Sequence, residues 1–386
     1  MAAPFQPSRV LLVTRNLPPL VGGMEQLNWH MADELARYAE VRVIGPSGSA
    51  AQGPENVQIK EVPLRPLWRF LLASTRAAVV QARSFKPDIL LAGSGLTAPA
   101  ALLAARAVGA RACVYLHGLD AAVQHPVYRA LWHPAIRQMD VVIANSQPTA
   151  ELARAIGVRS DNIRVVHPGV ELPIASRSPE ALHAFRRRHD LCDARLLLSI
   201  GRLTTRKGLR EFVQHALPSI VRASPNTILV VVGDAPADSL HATGQSQTSI
   251  QAVADAAGIG QHLRFLGFVT DPAELACAYE AAYVHVFPVR QIAGDPEGFG
   301  MVAIEAAAHG LPTVAFATGG IVDAVGPMQS GLLVAPGDYP SLARATLQVL
   351  ADDRTAWRRN STDFARPFAW PAFGENLRSA LKQRTL

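Results

Sequence analysis

The chain has 386 residues, a length sufficient for two domains of ordinary size. Hydrophobic residues make up 49% of it and charged residues 18%, which favours a large buried core over disorder. Lysine and arginine exceed aspartate and glutamate by 37 to 31, but they form no basic block and no arginine–aromatic repeat. Nucleic acid is therefore not an expected partner.

The spacing of the cysteines and the hydropathy of the sequence indicate the cellular compartment in which the protein is expected. Cys113, Cys192 and Cys277 are far apart, which suits a reducing compartment and disfavours a disulfide framework or a zinc site. The first residues lack the long apolar core of a signal peptide. No run of ~18 uncharged apolar residues occurs, so no membrane-spanning helix is expected. The sequence predicts a cytoplasmic protein.

The first half of the chain alternates apolar runs with amphipathic segments, which is typical of α/β proteins with parallel sheets. The predicted strands cover 9–14, 40–44, 88–92, 111–116, 141–145 and 163–166, and the predicted helices cover 24–38, 64–86, 98–108 and 128–138. Such sheets bind ligands beyond the carboxyl ends of their strands. The loops at these ends, predicted to face a ligand, carry Gly22-Gly23, Gly93-Ser94, His117-Gly118 and Asn145-Ser146.

The predicted helix 64–86 has a distinctive charge pattern. Arg69, Arg76 and Arg83 recur every seven residues, and Trp68 accompanies them. A basic and partly apolar helix face of this kind fits an anionic membrane surface. An ordinary surface helix with solvated arginines has the same spacing, so the sequence leaves both interpretations open.

The second half repeats the alternation after a stretch rich in proline and serine, residues 171–179, which is the predicted linker. Its predicted strands cover 196–200, 227–232, 263–266, 284–287 and 313–316, and its predicted helices cover 209–222, 250–257, 275–282, 301–309 and 339–350. A final helix is predicted after breaks at Pro367 and Pro371. The sequence thus predicts two α/β domains.

The stretch from Phe287 to Gly320 is predicted to form a strand, a loop, a helix and a strand. Gly298 and Gly300 stand before the helix, where glycine lets an anion approach the backbone closely. The first N–H groups of a helix have no partner within it and, together with the helix dipole, favour a phosphate. The stretch is therefore a predicted anion-binding site.

Two glutamates in this stretch, Glu297 and Glu305, are eight residues apart, or ~12 Å along a helix. They could reach opposite ends of an elongated ligand. Capping by Glu297 and an ion pair at Glu305 are the alternatives. Glu305 stands among Ile304 and several alanines on a helix predicted to be buried all round. Burying a carboxylate there is costly unless a group hydrogen-bonds it.

Two cations follow the first strand of the second half, in Gly201-Arg202 and Lys207-Gly208. Both can face a ligand at the carboxyl end of the strand, where fixed cations would stabilise charge developing on a departing diphosphate. Arginine can bind phosphate oxygens bidentately, whereas lysine acts as a point charge. A pair of solvated surface cations is the alternative.

The frame E-G-F-G-x-x-x-x-E-A-x-A-x-G-x-P from Glu297 to Pro312, followed by Gly319-Gly320, resembles the retaining glycosyltransferases of family 4. The frame G-R-x-x-x-x-K-G at Gly201 matches them as well, and the resemblance covers residues 9–381. It implies the GT-B fold, in which two Rossmann-like domains with parallel sheets face each other across a cleft. It also implies a hexosyltransferase in cell-envelope or polysaccharide biosynthesis. The donor would be a nucleoside-diphosphate sugar (GDP-mannose or a UDP-sugar), and the acceptor a lipid-linked molecule or a glycan.

The resemblance divides the chain into domains with separate tasks. Residues 1–175 would form the N-terminal domain on the acceptor side, and residues 176–365 the C-terminal domain on the donor side. Residues 366–386 would form a C-terminal helix that packs back towards the N-terminal domain.

The resemblance also implies the roles of individual residues. The predicted catalytic residues are His117, Arg202, Lys207 and Glu297, and Asp120 is a weaker candidate for binding the acceptor or orienting His117. The predicted donor-binding residues are Gly22, Gly23, Gly201, Arg202, Lys207, Phe268, Val269, Glu297, Gly298, Phe299, Gly300, Met301 and Glu305. Arg202 and Lys207 would bind the diphosphate, Glu297 the sugar hydroxyls and Glu305 the ribose. His117 would lie near the anomeric carbon, and the backbone of Phe268-Val269 would hold the nucleobase.

Neither a metal nor another cofactor is expected, because no D-x-D motif is placed to hold an ion and the two cations supply positive charge. The turn from Gly233 to Pro236 lacks the second glycine of the G-x-G-P turn that many family members have. No carboxylate nucleophile is evident, and the family is discussed in terms of a front-face mechanism. A non-hydrolysing nucleotide-sugar epimerase of similar fold and a non-catalytic sugar-nucleotide-binding protein are the alternative functions.

Overall fold

The structure, a computed structural model, describes residues 8–235 and 244–382. These residues divide into two compact units. Unit 1 contains the residues up to Gly169 together with those from Trp370 onward, and unit 2 contains Val170–Ala369. The chain therefore passes from unit 1 to unit 2 six residues before the boundary predicted after residue 175 (175 − 169 = 6).

Unit 1 contains a seven-stranded parallel sheet in the order β3-β2-β1-β4-β5-β6-β7. Its strands are β1 (Ser8–Val13), β2 (Ala39–Pro46), β3 (Gln58–Val62), β4 (Ile89–Ala92), β5 (Arg111–Leu116), β6 (Val141–Ala144) and β7 (Ile163–Val165). Strand β3 was not predicted, because an edge strand that is largely exposed lacks the continuous apolar run of a central strand. The other strands confirm the prediction.

The helices of unit 1 before residue 170 are α1 (Gly23–Ala36), α2 (Leu67–Phe85), α3 (Ala98–Val108), α4 (Leu119–Ala122), α5 (Pro126–Arg137) and α6 (Gln147–Ala155). Helices α2, α3 and α5 lie side by side and share one hydrophobic cluster with the sheet. Phe70, Leu102 and Ile136 are among its members. The side of these helices that faces away from the sheet is left at the surface.

Unit 2 contains a six-stranded parallel sheet in the order β10-β9-β8-β11-β12-β13. Its strands are β8 (Arg195–Ile200), β9 (Thr227–Val232), β10 (Leu263–Gly267), β11 (Val284–Phe287), β12 (Thr313–Phe316) and β13 (Gly331–Val334). All strands are parallel, so their carboxyl ends share one edge of the sheet. The predicted α/β class with two parallel sheets is confirmed.

The helices of unit 2 are α7 (Pro179–Arg188), α8 (Leu209–His215), α9 (Leu217–Ala223), α10 (Gln247–Ala256), α11 (Pro272–Ala281), α12 (Met301–Ala308), α13 (Ile321–Ala324), α14 (Tyr339–Ala351) and α15 (Arg354–Ala365). The single helix predicted over 209–222 is wrong: α8 ends before Pro218, which has no N–H to continue the helix and starts α9 instead. The predicted linker ends at Ser178, whose hydroxyl caps α7.

The last helix, α16 (Trp370–Lys382), belongs to unit 1 and packs on α1. Pro371 lies in its first turn, where proline is tolerated, so the predicted break at this residue is wrong. The ring of Trp370 stacks on His30, with 3.8 Å between the ring centres. Residues 383–386 of the predicted tail and Pro236 of the predicted turn lie outside the described residues. Within 8–235 and 244–382, every helix is too short or too polar to cross a bilayer.

Candidate active site

The loops after the strands of unit 2 meet at the carboxyl edge of the sheet and are tied together by their backbones. The N–H of Gly201 donates to the carbonyl of Val232 (3.0 Å), that of Gly233 to Gly267 (2.7 Å) and that of Arg290 to Arg206 (2.8 Å). Each of these bonds links the ends of two strands that are neighbours in the sheet. The edge is therefore a preformed platform for side chains.

The Gly319-Gly320 turn fixes the position of the loop that carries Glu297. The N–H of Gly320 donates to the carbonyl oxygen of Glu297 at 2.9 Å. A Cβ atom on Gly320 would lie 2.0 Å from the carbonyl oxygen of Gly298, which is far inside contact distance. Only glycine therefore allows the two backbones to approach this closely.

Glu297 is held between two cations. The Nζ atom of Lys207 lies 2.9 Å from Oε2 of Glu297, and the guanidinium of Arg206 donates to the same oxygen. Arg206 also contacts Asp295, with 3.3 Å between Nε and Oδ1. The ammonium of Lys207 lies 4.7 Å from the centre of the Phe287 ring, a cation–π contact. Lys207 and Glu297, predicted to lie in one site, are thus in direct contact.

Burial and the neighbouring charges shift the pKa values of Glu297 and Lys207 in opposite directions. Burial raises the pKa of Glu297, but the adjacent charges of Lys207 and Arg206 outweigh it, and the net pKa is lowered. Burial also lowers the pKa of Lys207, while Glu297 opposes that effect. Glu297 is therefore an anion at neutral pH, and the cations beside it are arranged to hold negative charge.

Arg202, the other predicted cation, occupies a different environment. Its side chain is exposed at the carboxyl end of β8, and its charge acts on Lys207 electrostatically. Arg206, which sequence reasoning missed, is the arginine that touches Glu297. Its position directly before Lys207 was the only signal in the sequence, and a neighbouring cation is by itself weak evidence of a role.

Helix α12 presents its amino end at the same edge. Its first residue is Met301, and Gly300 before it has φ of +93°, a conformation that favours glycine. The N-cap residue, Gly300, has no side chain to cap this end, and the carboxylate of Glu297 contacts Arg206 and Lys207. The ring of Phe299 is buried in the core of the unit, which leaves its backbone as the part that can meet a ligand. The open helix end fits an anion.

Glu305 lies on α12 and accepts a hydrogen bond from Tyr279 on the adjacent helix α11. The distance from the Tyr279 hydroxyl to Oε2 of Glu305 is 2.9 Å. Burial raises the pKa of Glu305, and the bond from Tyr279 opposes this only in part. Among the described residues no lysine or arginine forms an ion pair with Glu305, which disfavours the alternative of a salt-bridged residue. Tyr279 was not predicted, because it lies 26 residues from Glu305 in the sequence (305 − 279 = 26).

Tyr279 is itself supported by a second set of side chains. The imidazole of His309 stacks on its ring, with 5.0 Å between centres and 6° between planes. Nδ1 of His309 lies 3.3 Å from Oε1 of Glu280, a buried carboxylate. The N–H of Arg177 also donates to Glu280, at 2.7 Å. These contacts fix the phenol ring and so the direction of its bond to Glu305.

Phe268 and Val269 follow β10 at the same edge. The side chain of Phe268 is 64% exposed, whereas Val269 packs partly against the hydrophobic core. An exposed aromatic ring beside a polar platform is available to a planar ligand group. The position agrees with the predicted nucleobase site, whose occupancy stays a prediction.

The predicted residues of unit 1 lie at the carboxyl edge of its own sheet. Nε2 of His117 lies 2.8 Å from the carbonyl oxygen of Gly93, and the backbone N–H of His117 donates to Asp120 (2.9 Å). The carbonyl of Gly93 thus orients the imidazole. The sequence had allowed Asp120 to orient it, but the Asp120 carboxylate binds the backbone N–H of His117 and not the ring. Gly22 and Gly23 are exposed at the amino end of α1, which no side chain caps.

Comparison with known proteins decides the family. A family model described as Glycosyltransferase Family 4 matches residues 21–173, and one described as Glycosyl transferases group 1 matches residues 194–352. A GDP-mannose-dependent alpha-(1-6)-phosphatidylinositol monomannoside mannosyltransferase of Mycolicibacterium smegmatis is 31% identical over 358 residues, which is 90% of each chain. The chain belongs to glycosyltransferase family 4. It is a hexosyltransferase of this family, and the predicted enzyme class is confirmed.

Solved structures show that this family 4 chain has the predicted GT-B fold. Anabaena HepE in complex with UDP superimposes with a TM-score of 0.80 at 20% identity, covering 97% of this chain and 99% of HepE. Sucrose-phosphate synthase from Thermosynechococcus elongatus gives 0.77 at 22% identity, covering 97% and 98%. Among shorter matches in sequence, a D-inositol 3-phosphate glycosyltransferase of Catenulispora acidiphila is 34% identical over 60% of this chain and 53% of its own length.

The family 4 site bears on the expectation that no metal takes part. Over the part of the chain that the structure describes, no three His, Cys, Asp or Glu side chains are arranged to hold an ion. The expectation of a reaction without metal stays a prediction, because an ion can also be held by a substrate's phosphates.

Proposed function

We propose that this enzyme is a retaining mannosyltransferase that takes mannose from GDP-mannose and transfers it to a lipid-linked or glycan acceptor. The observation that carries the proposal is the cluster of Lys207, Arg206 and Glu297 beside the open end of α12, which combines groups for a diphosphate and a sugar. The choice of GDP-mannose rests on the mycobacterial relative, whose name states that donor.

The diphosphate is assigned to Arg202, Lys207 and the N–H groups at the start of α12. A diphosphate is a stronger anion than one carboxylate, so it competes with Glu297 for the ammonium of Lys207. The backbone N–H groups of Gly298–Met301, at the amino end of α12, are assigned to the phosphate and the sugar as well. Gly22 and Gly23 of unit 1 are assigned to the same donor phosphate and sugar, through their backbone.

The two glutamates are assigned to the two ends of the donor. Glu297, displaced from Lys207 by the diphosphate, accepts hydrogen bonds from hydroxyls of the mannose. Glu305 accepts from the ribose hydroxyls; Tyr279 occupies its Oε2, and Oε1 is assigned to the ligand. Phe268-Val269 is assigned to the guanine. This division explains why a carboxylate is retained on an alanine-rich helix despite the cost of burial.

The transfer step exchanges one bond at the anomeric carbon for another. The bond from this carbon to the phosphate oxygen breaks, and the bond from it to an acceptor hydroxyl forms on the same face of the sugar. The hydroxyl proton moves to the departing diphosphate, whose charge Arg202 and Lys207 stabilise. His117 is assigned to hydroxyls near the anomeric carbon, where its hydrogen bond to the carbonyl oxygen of Gly93 fixes its ring.

The acceptor and the location are assigned together. We place the reaction in the cytoplasm at the inner face of a membrane, where a lipid-linked acceptor is presented. The free thiols of Cys113, Cys192 and Cys277 agree with a reducing compartment. The relative's name supplies the class of acceptor, an inositol-containing lipid that already carries one mannose.

The test is a transfer assay with labelled donors in excess chelator. GDP-mannose and UDP-glucose are each incubated with purified enzyme and an extract of mannosylated inositol lipids, and the lipids are separated. We expect label from GDP-mannose in a new lipid, with the anomeric configuration retained. Transfer from UDP-glucose alone would overturn the donor assignment. Conversion of GDP-mannose without any acceptor would indicate the epimerase, and a strict need for a divalent ion would overturn the metal-free mechanism.

A further inference from the structure

Helices α2, α3 and α5 of unit 1 form a layer with an unusual charge distribution. Together they contain six arginines and neither aspartate nor glutamate: Arg69, Arg76 and Arg83 on α2, Arg106 on α3, and Arg129 and Arg137 on α5. All six are exposed. We call the outward side of this layer the three-helix face.

The acidic residues nearest in sequence do not neutralise this charge. Asp88, Asp120 and Asp140 each accept a backbone N–H at an end of a sheet strand, from Arg9 (2.8 Å), His117 (2.9 Å) and Ala112 (2.8 Å), respectively. Among the described residues, no carboxylate forms a salt bridge with any of the six arginines. The positive potential of the face is therefore directed into solvent.

Large apolar side chains stand between the arginines. Trp68 is 57% exposed and Leu72 is 66% exposed on α2, and Leu131 is 60% exposed on α5. Leu67, Val80, Leu103 and Val127 of the same helices are exposed as well. Scattered exposed apolar residues are ordinary, but seven on three adjacent helices form a concentrated patch.

The apolar residues are concentrated at one end of the layer. Trp68 and Leu72 lie in the first two turns of α2, and Val127 and Leu131 in the first two turns of α5. Both helices start at the carboxyl edge of the parallel sheet, which is where His117 also lies. The apolar end of the three-helix face is therefore beside the carboxyl edge of the unit 1 sheet, which we call the acceptor edge because residues 1–175 are the predicted acceptor side.

We propose that the three-helix face docks on the surface of an anionic lipid bilayer. Arginines attract acidic headgroups, and an exposed tryptophan with aliphatic neighbours enters the boundary between headgroups and acyl chains. The positive charge of the face would also suit nucleic acid, but the exposed apolar side chains of Leu72, Val80 and Leu131 would not. The docking extends the predicted contact of helix 64–86 to two further helices. It deepens the proposed function by orienting the acceptor edge to the lipid, but it does not depend on which sugar is transferred.

The test is sedimentation with lipid vesicles, which needs neither donor nor acceptor and is therefore independent of the transfer assay. Full-length protein is mixed with vesicles of equal parts phosphatidylglycerol and phosphatidylcholine, or of phosphatidylcholine alone. We expect binding to the acidic vesicles only, weakened by raised salt. Arg76→Gln/Arg83→Gln should lose affinity by roughly 30-fold, since each basic residue near such a surface contributes ~1 kcal/mol.

The matched control is Arg222→Gln/Arg359→Gln, which removes two exposed arginines from helices α9 and α15 of unit 2. It lowers the net charge equally, so it should bind like the wild type. Leu72→Ser should weaken binding at both low and high salt, whereas Ile174→Ser, at an exposed position outside the face, should not. Equal losses in both arginine pairs, no preference for acidic vesicles, or binding to RNA in place of vesicles would overturn the proposal.

Discussion

The hydroxyl of Tyr279 donates a hydrogen bond to Oε2 of Glu305 across the interface of α11 and α12, over 2.9 Å. The stacked ring of His309 holds Tyr279 in place. This bond stabilises the ionised form of a carboxylate whose pKa burial has raised. In the proposed donor site, Tyr279 would therefore act on the nucleotide through Glu305, as a positioning residue.

Tyr279→Phe is expected to weaken nucleotide binding in a pH-dependent way. Without the hydroxyl the pKa of Glu305 rises further, so the carboxylate is protonated at a higher pH and becomes a poorer acceptor for the ribose. Calorimetric titration with GDP across a pH series should show affinity falling at a higher pH than in the wild type. Tyr339→Phe on α14, which removes a hydroxyl elsewhere in unit 2, should leave the profile unchanged. A uniform loss at all pH values would indicate a merely structural role.

Glu305→Gln is expected to change the pH dependence of stability. In the folded protein the pKa of Glu305 lies above the ordinary carboxyl value. The stability that this group contributes is therefore fully present below the ordinary carboxyl pKa. It is lost as pH rises through the pKa of the folded state. Glutamine does not ionise and still accepts from Tyr279. Urea unfolding should show the variant equal to the wild type at about pH 4 and more stable at about pH 8.

The same variant is expected to bind GDP more weakly, by about 1.5–3 kcal/mol, because a neutral amide replaces a charged acceptor. Together, the two results separate a ligand-binding carboxylate from a structural one. If Glu305→Gln bound GDP like the wild type and unfolded more easily, Glu305 would be a structural residue.

Glu297→Gln is expected to separate diphosphate binding from sugar transfer. The carboxylate is paired with Lys207 and Arg206, so its removal leaves both cations to the diphosphate. GDP should bind at least as tightly as in the wild type, while kcat/KM for transfer should fall roughly 10- to 150-fold. This loss corresponds to about 1.5–3 kcal/mol of transition-state stabilisation. Weaker GDP binding in this variant would show that Glu297 supports the diphosphate site and not the sugar.

Gly320→Ala is expected to impair the donor site through the backbone alone. The added Cβ would lie 2.0 Å from the Gly298 carbonyl oxygen and force the Glu297 loop away. GDP-mannose affinity should fall, while thermal unfolding should remain a single cooperative transition. Gly337→Ala is the control for backbone strain without a clash: its φ of +82° disfavours alanine, but no atom lies within 4 Å of the new Cβ, so donor affinity should not change. Wild-type donor affinity in Gly320→Ala would show that the loop position is not critical.

The sequence predicted the features that depend on local pattern. Continuous apolar runs identified the central strands, and the glycines before Met301 identified the open amino end of α12. The family frame then brought Lys207 and Glu297 into one site, where the structure places them in contact. Such features are predictable because neighbouring residues or a shared frame determine them.

Contacts between distant residues could not be predicted in this way. The bond from Tyr279 to Glu305 depends on the packing of two helices, and nothing in the local pattern of α11 distinguishes this tyrosine from a core residue. The pairing of Arg206 with Glu297 depends on the direction of a side chain in a short turn. The edge strand β3 was missed for the related reason that exposed strands carry little hydrophobic signal.

The most direct test of the account is the rate of mannose transfer from labelled GDP-mannose by Arg202→Ala/Lys207→Ala beside the wild type. These two cations are proposed to stabilise the charge of the departing diphosphate, and each would contribute about 2–4 kcal/mol to the transition state. We expect the wild-type enzyme to transfer mannose and the double variant, with an unchanged circular dichroism spectrum, to be nearly inactive. Wild-type turnover in the folded double variant would contradict the account.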